Sequence, residues 1–134
     1  MIDRRLPWII AVALIGAACS KDASSKPGEA PPDDAMVAAW RKAGLEVSAL
    51  TDVDAKKYLA QSCRGGTVGG VDVVLCRFDS GEDAKAAEDP GLAAVGDATG
   101  AALARGGRLL VVADRRKVDP SGRTIDAITR AFMK

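Results

Sequence analysis

Histidine is absent from this 134-residue chain. The commonest general base and the commonest metal ligand are therefore missing together. Histidine-dependent triads and Cys/His zinc sites are excluded. Aromatic residues make up only 4% of the chain, and cysteines number three. Charge of either sign is not in excess: 19 basic residues stand against 18 acidic ones. Setting aside Asp3, Arg4 and Arg5 near the start leaves 17 of each sign, so the bulk of the chain is neutral. A neutral domain does not point to nucleic acid or to an anionic membrane as a partner. No phosphate loop is present, because Gly65-Gly66 and Gly69-Gly70 lack the required lysine and spacing. Nor do Asp79, Glu82 and Asp83 follow the ligand order of a calcium loop, and a capped helix start accounts for them. No cofactor, metal or catalytic constellation is expected.

The stretch that is most informative runs from Cys63 to Phe78. Gly69-Gly70 separates two β-prone runs and reads as a two-residue hairpin turn. Facing residues then have numbers summing to 139, so Val68 faces Val71, Thr67 faces Asp72 and Cys63 faces Cys76. The cysteines fall on a non-hydrogen-bonded pair, where Cα atoms lie roughly 4.5–5.5 Å apart, within disulfide reach. A turn at Gly65-Gly66 would separate them. The spacing is not Cys-x-x-Cys, but a redox-active pair remains the alternative to a structural bond.

The first nineteen residues have their own pattern. Arg4 and Arg5 precede an apolar run from Leu6 to Ala18, which is shorter than the roughly twenty residues a membrane-spanning helix needs. The run fits the hydrophobic region of a signal peptide. It ends in Ile15-Gly16-Ala17-Ala18-Cys19, which resembles the lipobox of bacterial lipoprotein precursors. That resemblance covers residues 1–19 only. Gly16 stands where the family usually carries an aliphatic residue. An ordinary secreted protein cut after Ala18 and an uncleaved anchor are the alternatives.

The resemblance implies cleavage between Ala18 and Cys19, and lipidation of Cys19. It also implies a bacterial cell-envelope protein held on a membrane by its lipid. Ser20, rather than aspartate, after the cysteine implies the outer membrane, with the domain facing the periplasm. Lipidation of Cys19 leaves Cys63 and Cys76 as an even pair in an oxidising compartment. Ser20 to Asp34 carries three prolines and no large apolar residue, and reads as a disordered tether.

Residues 35–134 are expected to form one domain. The pattern predicts a helix over Ala35–Ala43, with Asp33 or Asp34 as its cap, and a strand over Leu45–Leu50. A capping box at Thr51–Asp54 predicts a short helix from Asp52 to Gln61 that turns Tyr58, Leu59 and Ser62 inwards. A helix from Ser80 ends at Asp89-Pro90-Gly91. Gly106-Gly107 turns a second hairpin whose first strand, alanine-rich, could instead be helical. Asp119 caps a last helix with Pro120 in its first turn, and Ile125, Ile128 and Phe132 form its apolar stripe. Strands grouped as hairpins, with helices between them, predict an α+β two-layer sandwich: an antiparallel sheet with helices on one face.

Asp114 and Asp119 are read as making turns and surface ion pairs. Arg105, Arg108, Arg115, Arg116, Lys117 and Arg123 form a possible anion or partner patch. The functional expectation is a lipid-anchored envelope protein with a non-catalytic domain that binds an envelope protein or glycan. A thiol-dependent redox or stress-sensing lipoprotein using Cys63 and Cys76 is the alternative.

Overall fold

The computed structural model describes residues 32–134. Helix α1 (Asp33–Lys42) leads to strand β1 (Thr51–Val53), a 3-10 turn (Lys56–Tyr58), and the hairpin β2 (Ser62–Val68) and β3 (Val71–Arg77). Two short helices follow, α2 (Gly81–Ala86) and α3 (Glu88–Val95). A second hairpin, β4 (Thr99–Arg105) and β5 (Arg108–Asp114), precedes the last helix, α4 (Arg123–Met133). The five strands make one antiparallel sheet in the order β1-β2-β3-β5-β4. This is an α+β sandwich built from hairpins.

The first hairpin has the register that the Gly69-Gly70 turn dictates, from Val68 opposite Val71 to Cys63 opposite Cys76. Both glycines have positive φ, 59° and 86°, which a two-residue turn of this hand requires. Cys63 and Cys76 are joined by a disulfide, with Cα atoms 4.0 Å apart. The alanine-rich run 100–104 is strand, not helix. It pairs along the whole of β5, and Arg105 faces Arg108 across the turn.

Helices cover both faces of the sheet, which gives a third layer beyond the two expected. Alternate residues of a strand point to opposite faces. Val71, Val73, Leu75, Leu110 and Val112 pack with Met36 and Trp40 of α1 and Ile128 and Phe132 of α4. On the other side, Cys63, Cys76, Leu109, Val111 and Ala113 pack with Ala84 of α2, Val95 of α3, and Tyr58. The central strands β3 and β5 are apolar on both sides because both sides are buried.

Several local expectations give way to neighbours. Residues 45–50 are not a regular strand: one bridge joins Val47 to Val68, and Ser48 donates to the Thr67 carbonyl. Regular pairing starts later, where Thr51 and Val53, both β-branched, face Gly65 and Cys63. The capping box is therefore strand. Only a 3-10 turn follows it, with Asp54 Oδ1 accepting from the Lys56 amide. Tyr58 is buried as expected, but Leu59 is 76% exposed and Ser62 is also exposed. Pro90 does not stop a helix but lies in the first turn of α3, where an amide hydrogen has no intrahelical partner anyway. Helix α1 begins at Asp33, so both aspartates expected in the tether belong to the domain. Pro32 stands at the cap position, with no side-chain cap.

One glycine marks a close approach. A Cβ on Gly100 would sit 1.9 Å from the Val112 carbonyl oxygen of the paired strand. Gly100→Ala should destabilise the domain by about 1–3 kcal/mol through overpacking against backbone. Amide hydrogen exchange at Ala101 and Leu103 should speed up more than at Val73 if β4 is what separates.

Candidate functional site: two basic ends, a polar cleft and a groove

The six cations read as one patch are divided by the strand that carries them. Arg105 and Arg108 flank the β4–β5 turn, whereas Arg115, Arg116, Lys117 and Arg123 follow the far end of β5. At about 3.3 Å per residue the two groups lie on the order of 20 Å apart. Four of the guanidinium groups also have internal partners. Arg105 donates to the main-chain oxygens of Phe132 and Lys134 at 3.2 and 2.7 Å. Arg108 meets Asp33 at 2.5 Å, and Arg64 approaches the same carboxylate at 3.7 Å. Facing arginines 105 and 108 thus turn to different partners. Arg115 donates to the Ala94 carbonyl at 2.6 Å, and Arg116 to the Gly70 carbonyl at 2.9 Å and to Asp72 at 3.0 Å.

A cleft of about 800 Å³ opens at the far end, between the start of β4 and the loop from β5 to α4. Asp97, Arg115, Lys117 and Ser121 are among its walls. Asp114 and Asp119 also line it, but they are buried, not surface ion pairs. Asp114 accepts from the amides of Val118 and Asp119, both at 2.9 Å. Asp119 accepts from Thr124 at 3.1 Å and Ile125 at 2.9 Å, the amides that open α4. The cap therefore acts across the turn: Pro120 lies before the helix, and α4 starts at Arg123. These four bonds fold the loop, and each carboxylate oxygen already has a donor.

Burial alone would raise the pKa of Asp119, but hydrogen bonds from the Ile125 and Thr124 amides, the Thr124 side chain and the Arg123 amide together hold the carboxyl below its ordinary value. A depressed folded pKa contributes stability that is complete above the unfolded value and is lost as pH falls through the folded one. Asp119→Ala should cost about 2 kcal/mol at neutral pH. In urea unfolding, wild type should lose part of its stability below about pH 4, the ordinary aspartate range, and Asp119→Asn should flatten that acid-side slope.

A second concavity, a groove of about 760 Å³, runs between α1 and α4. Its floor holds Ala35 and Ala39 of α1 and Ala43 at that helix's C-cap, with Ala127 and Ala131 of α4. Both sets repeat every fourth residue, which places each on one helix face. Lys42, Arg105, Arg130 and Lys134 stand around them. Arg130 also pairs with Asp126. Three of these four cations, Lys42, Arg130 and Lys134, were not singled out by sequence reasoning. The alanine spacing was visible, but only adjacency of the two helices turns it into a groove.

The disulfide lies away from both concavities. Its cysteines are 2% and 1% exposed, in the core that also holds Tyr58 and Phe78. Burial raises the pKa of the Tyr58 phenol, opposed by the positive field of Arg115. Among the described residues, no group of three or more histidine, cysteine or carboxylate side chains converges on a metal position. No helix among them is long and apolar enough to cross a membrane. Ala18, Cys19 and the rest of residues 1–31 lie outside the described residues. The chain matches no protein-family model, no curated protein and no solved structure.

Proposed function

We propose that this chain is a lipid-anchored cell-envelope protein, held through Cys19, whose disulfide-bonded domain binds another envelope component without catalysis. The observation that carries the reading is the pairing of Cys63 with Cys76. It accounts for two of the three cysteines and leaves Cys19, behind Ala17-Ala18, as the one for lipid. A structural disulfide also suits the oxidising space outside the cytoplasm. The non-catalytic part is supported by Asp114 and Asp119, whose oxygens hold backbone amides in place instead of facing a substrate.

The partner, an envelope protein or glycan, is taken at the cleft end, where Arg115, Lys117 and Arg123 are exposed. Labelled palmitate should enter the wild-type protein made in bacteria and should not enter Cys19→Ser. A photo-crosslinking side chain at position 117 should give a discrete adduct in intact cells that the same side chain at position 85 does not. Equal palmitate labelling of both proteins would remove the anchor. Identical adducts from positions 117 and 85 would remove the binding site.

A further inference from the structure

The groove between α1 and α4 has the chemistry of a surface that rests on charged lipid. Its floor is made of alanine methyl groups. Four cations stand around that floor, and among the described residues no carboxylate side chain lines it. Their placement is spread out: Lys42 lies at the end of α1, while Arg130 and Lys134 lie at the end of α4, which packs beside it. Arg105 reaches the groove from the β4–β5 turn, beside the end of α4.

The described chain begins at this groove. Pro32 lines one end of the groove, and twelve residues separate it from Cys19. Even fully extended, they reach no more than about 45 Å. A domain of this size has a radius of gyration of about 13 Å, so the reach is of the same order as the domain itself. Helix α1 is the first element after that connection.

We propose that the α1/α4 groove is the face on which the anchored domain rests against an anionic phospholipid surface, with Lys42, Arg105, Arg130 and Lys134 among the headgroups. The inference builds on the anchor reading and adds an orientation. The cleft end, at the opposite end of β5 from Arg105, stays open to the envelope partner.

The test uses the full chain purified from bacterial membranes and reconstituted in vesicles. One set is phosphatidylcholine alone, and the other also contains phosphatidylglycerol. A membrane-impermeant amine-acylating reagent then reports each lysine by mass spectrometry. Lys85, on the helix layer of the opposite face, is the internal reference. Lys42 and Lys134 should react about fivefold more slowly relative to Lys85 in the anionic vesicles, the factor corresponding to about 1 kcal/mol per cation at such a surface. The protection should be absent on phosphatidylcholine and should vanish in about 0.5 M salt, where screening is short-ranged.

Equal reactivity in both vesicle types would overturn the inference, as would protection of Lys57 or Lys85 in place of Lys42. Protection that persists in detergent and grows with protein concentration would show that a second copy covers the groove, and would also overturn it. If Cys19 proves to carry no lipid, the same chain mixed with the same vesicles gives the same readout. Failure of the anchor and failure of the face are therefore separable.

Discussion

Trp40→Ala should destabilise the domain by about 3–5 kcal/mol, against a total of about 5–15 kcal/mol for a domain of ordinary stability. Trp40 is fully buried. Its ring fills the space between α1 and the sheet, among Val71, Val73, Leu110 and Phe132. Its indole Nε1–H also donates to the Ile128 carbonyl at 3.1 Å, which ties α1 to α4. Truncation removes apolar contact, leaves a cavity and deprives a buried helix carbonyl of one of its two donors. Trp40→Phe should retain most of the packing and cost about 1–2 kcal/mol, chiefly for the lost hydrogen bond. Urea unfolding checks this: the midpoint should fall sharply for alanine and modestly for phenylalanine. Equal midpoints for wild type and Trp40→Ala would show that α1 does not hold the core.

Replacing both Cys63 and Cys76 by alanine should cost about 3 kcal/mol, mostly by freeing the unfolded chain over a short loop. The two residues are 13 apart in sequence. For a domain of about this size, the melting temperature should drop by more than about 10 °C. The same bond is the place to test the redox alternative. A thiolate can attack only a sulfur it can reach, and these cysteines are 2% and 1% exposed, so exchange requires local opening of the β2–β3 hairpin. The expected reduction potential is below about −300 mV, the range of structural bonds. A higher potential, with rapid reduction of the folded protein, would favour the sensing role.

The register of the first hairpin was legible because two adjacent glycines pin a turn, and a pinned turn numbers every facing pair. The second hairpin was legible for the same reason, even though Gly100 to Ala104 reads equally well as helix. Pairing with β5 decides what alanine content leaves open. The third layer had a signal too: β5 reads Leu109-Leu110-Val111-Val112-Ala113 without a polar residue, which one covered face cannot explain.

Other features were not local. Thr51–Val53 has the letters of a helix start, and becomes strand because β2 offers an edge to pair with. Asp33 looks like a cap but is drawn instead to Arg108, a residue 75 positions away. The six cations are close in sequence, and a strand runs between the two groups. Proximity in sequence over an extended segment is distance in space, which is why the candidate patch became two ends.

The account rests on a chain that leaves the cytoplasm, carries lipid on one cysteine and joins the other two. Intact mass of the protein purified from bacterial membranes, after thiol alkylation with and without reductant, tests all three at once. The predicted result is a chain beginning at Cys19 and bearing lipid, with no alkylated thiol until reductant adds two. A chain still beginning at Met1, with three thiols alkylated in the absence of reductant, would contradict the account.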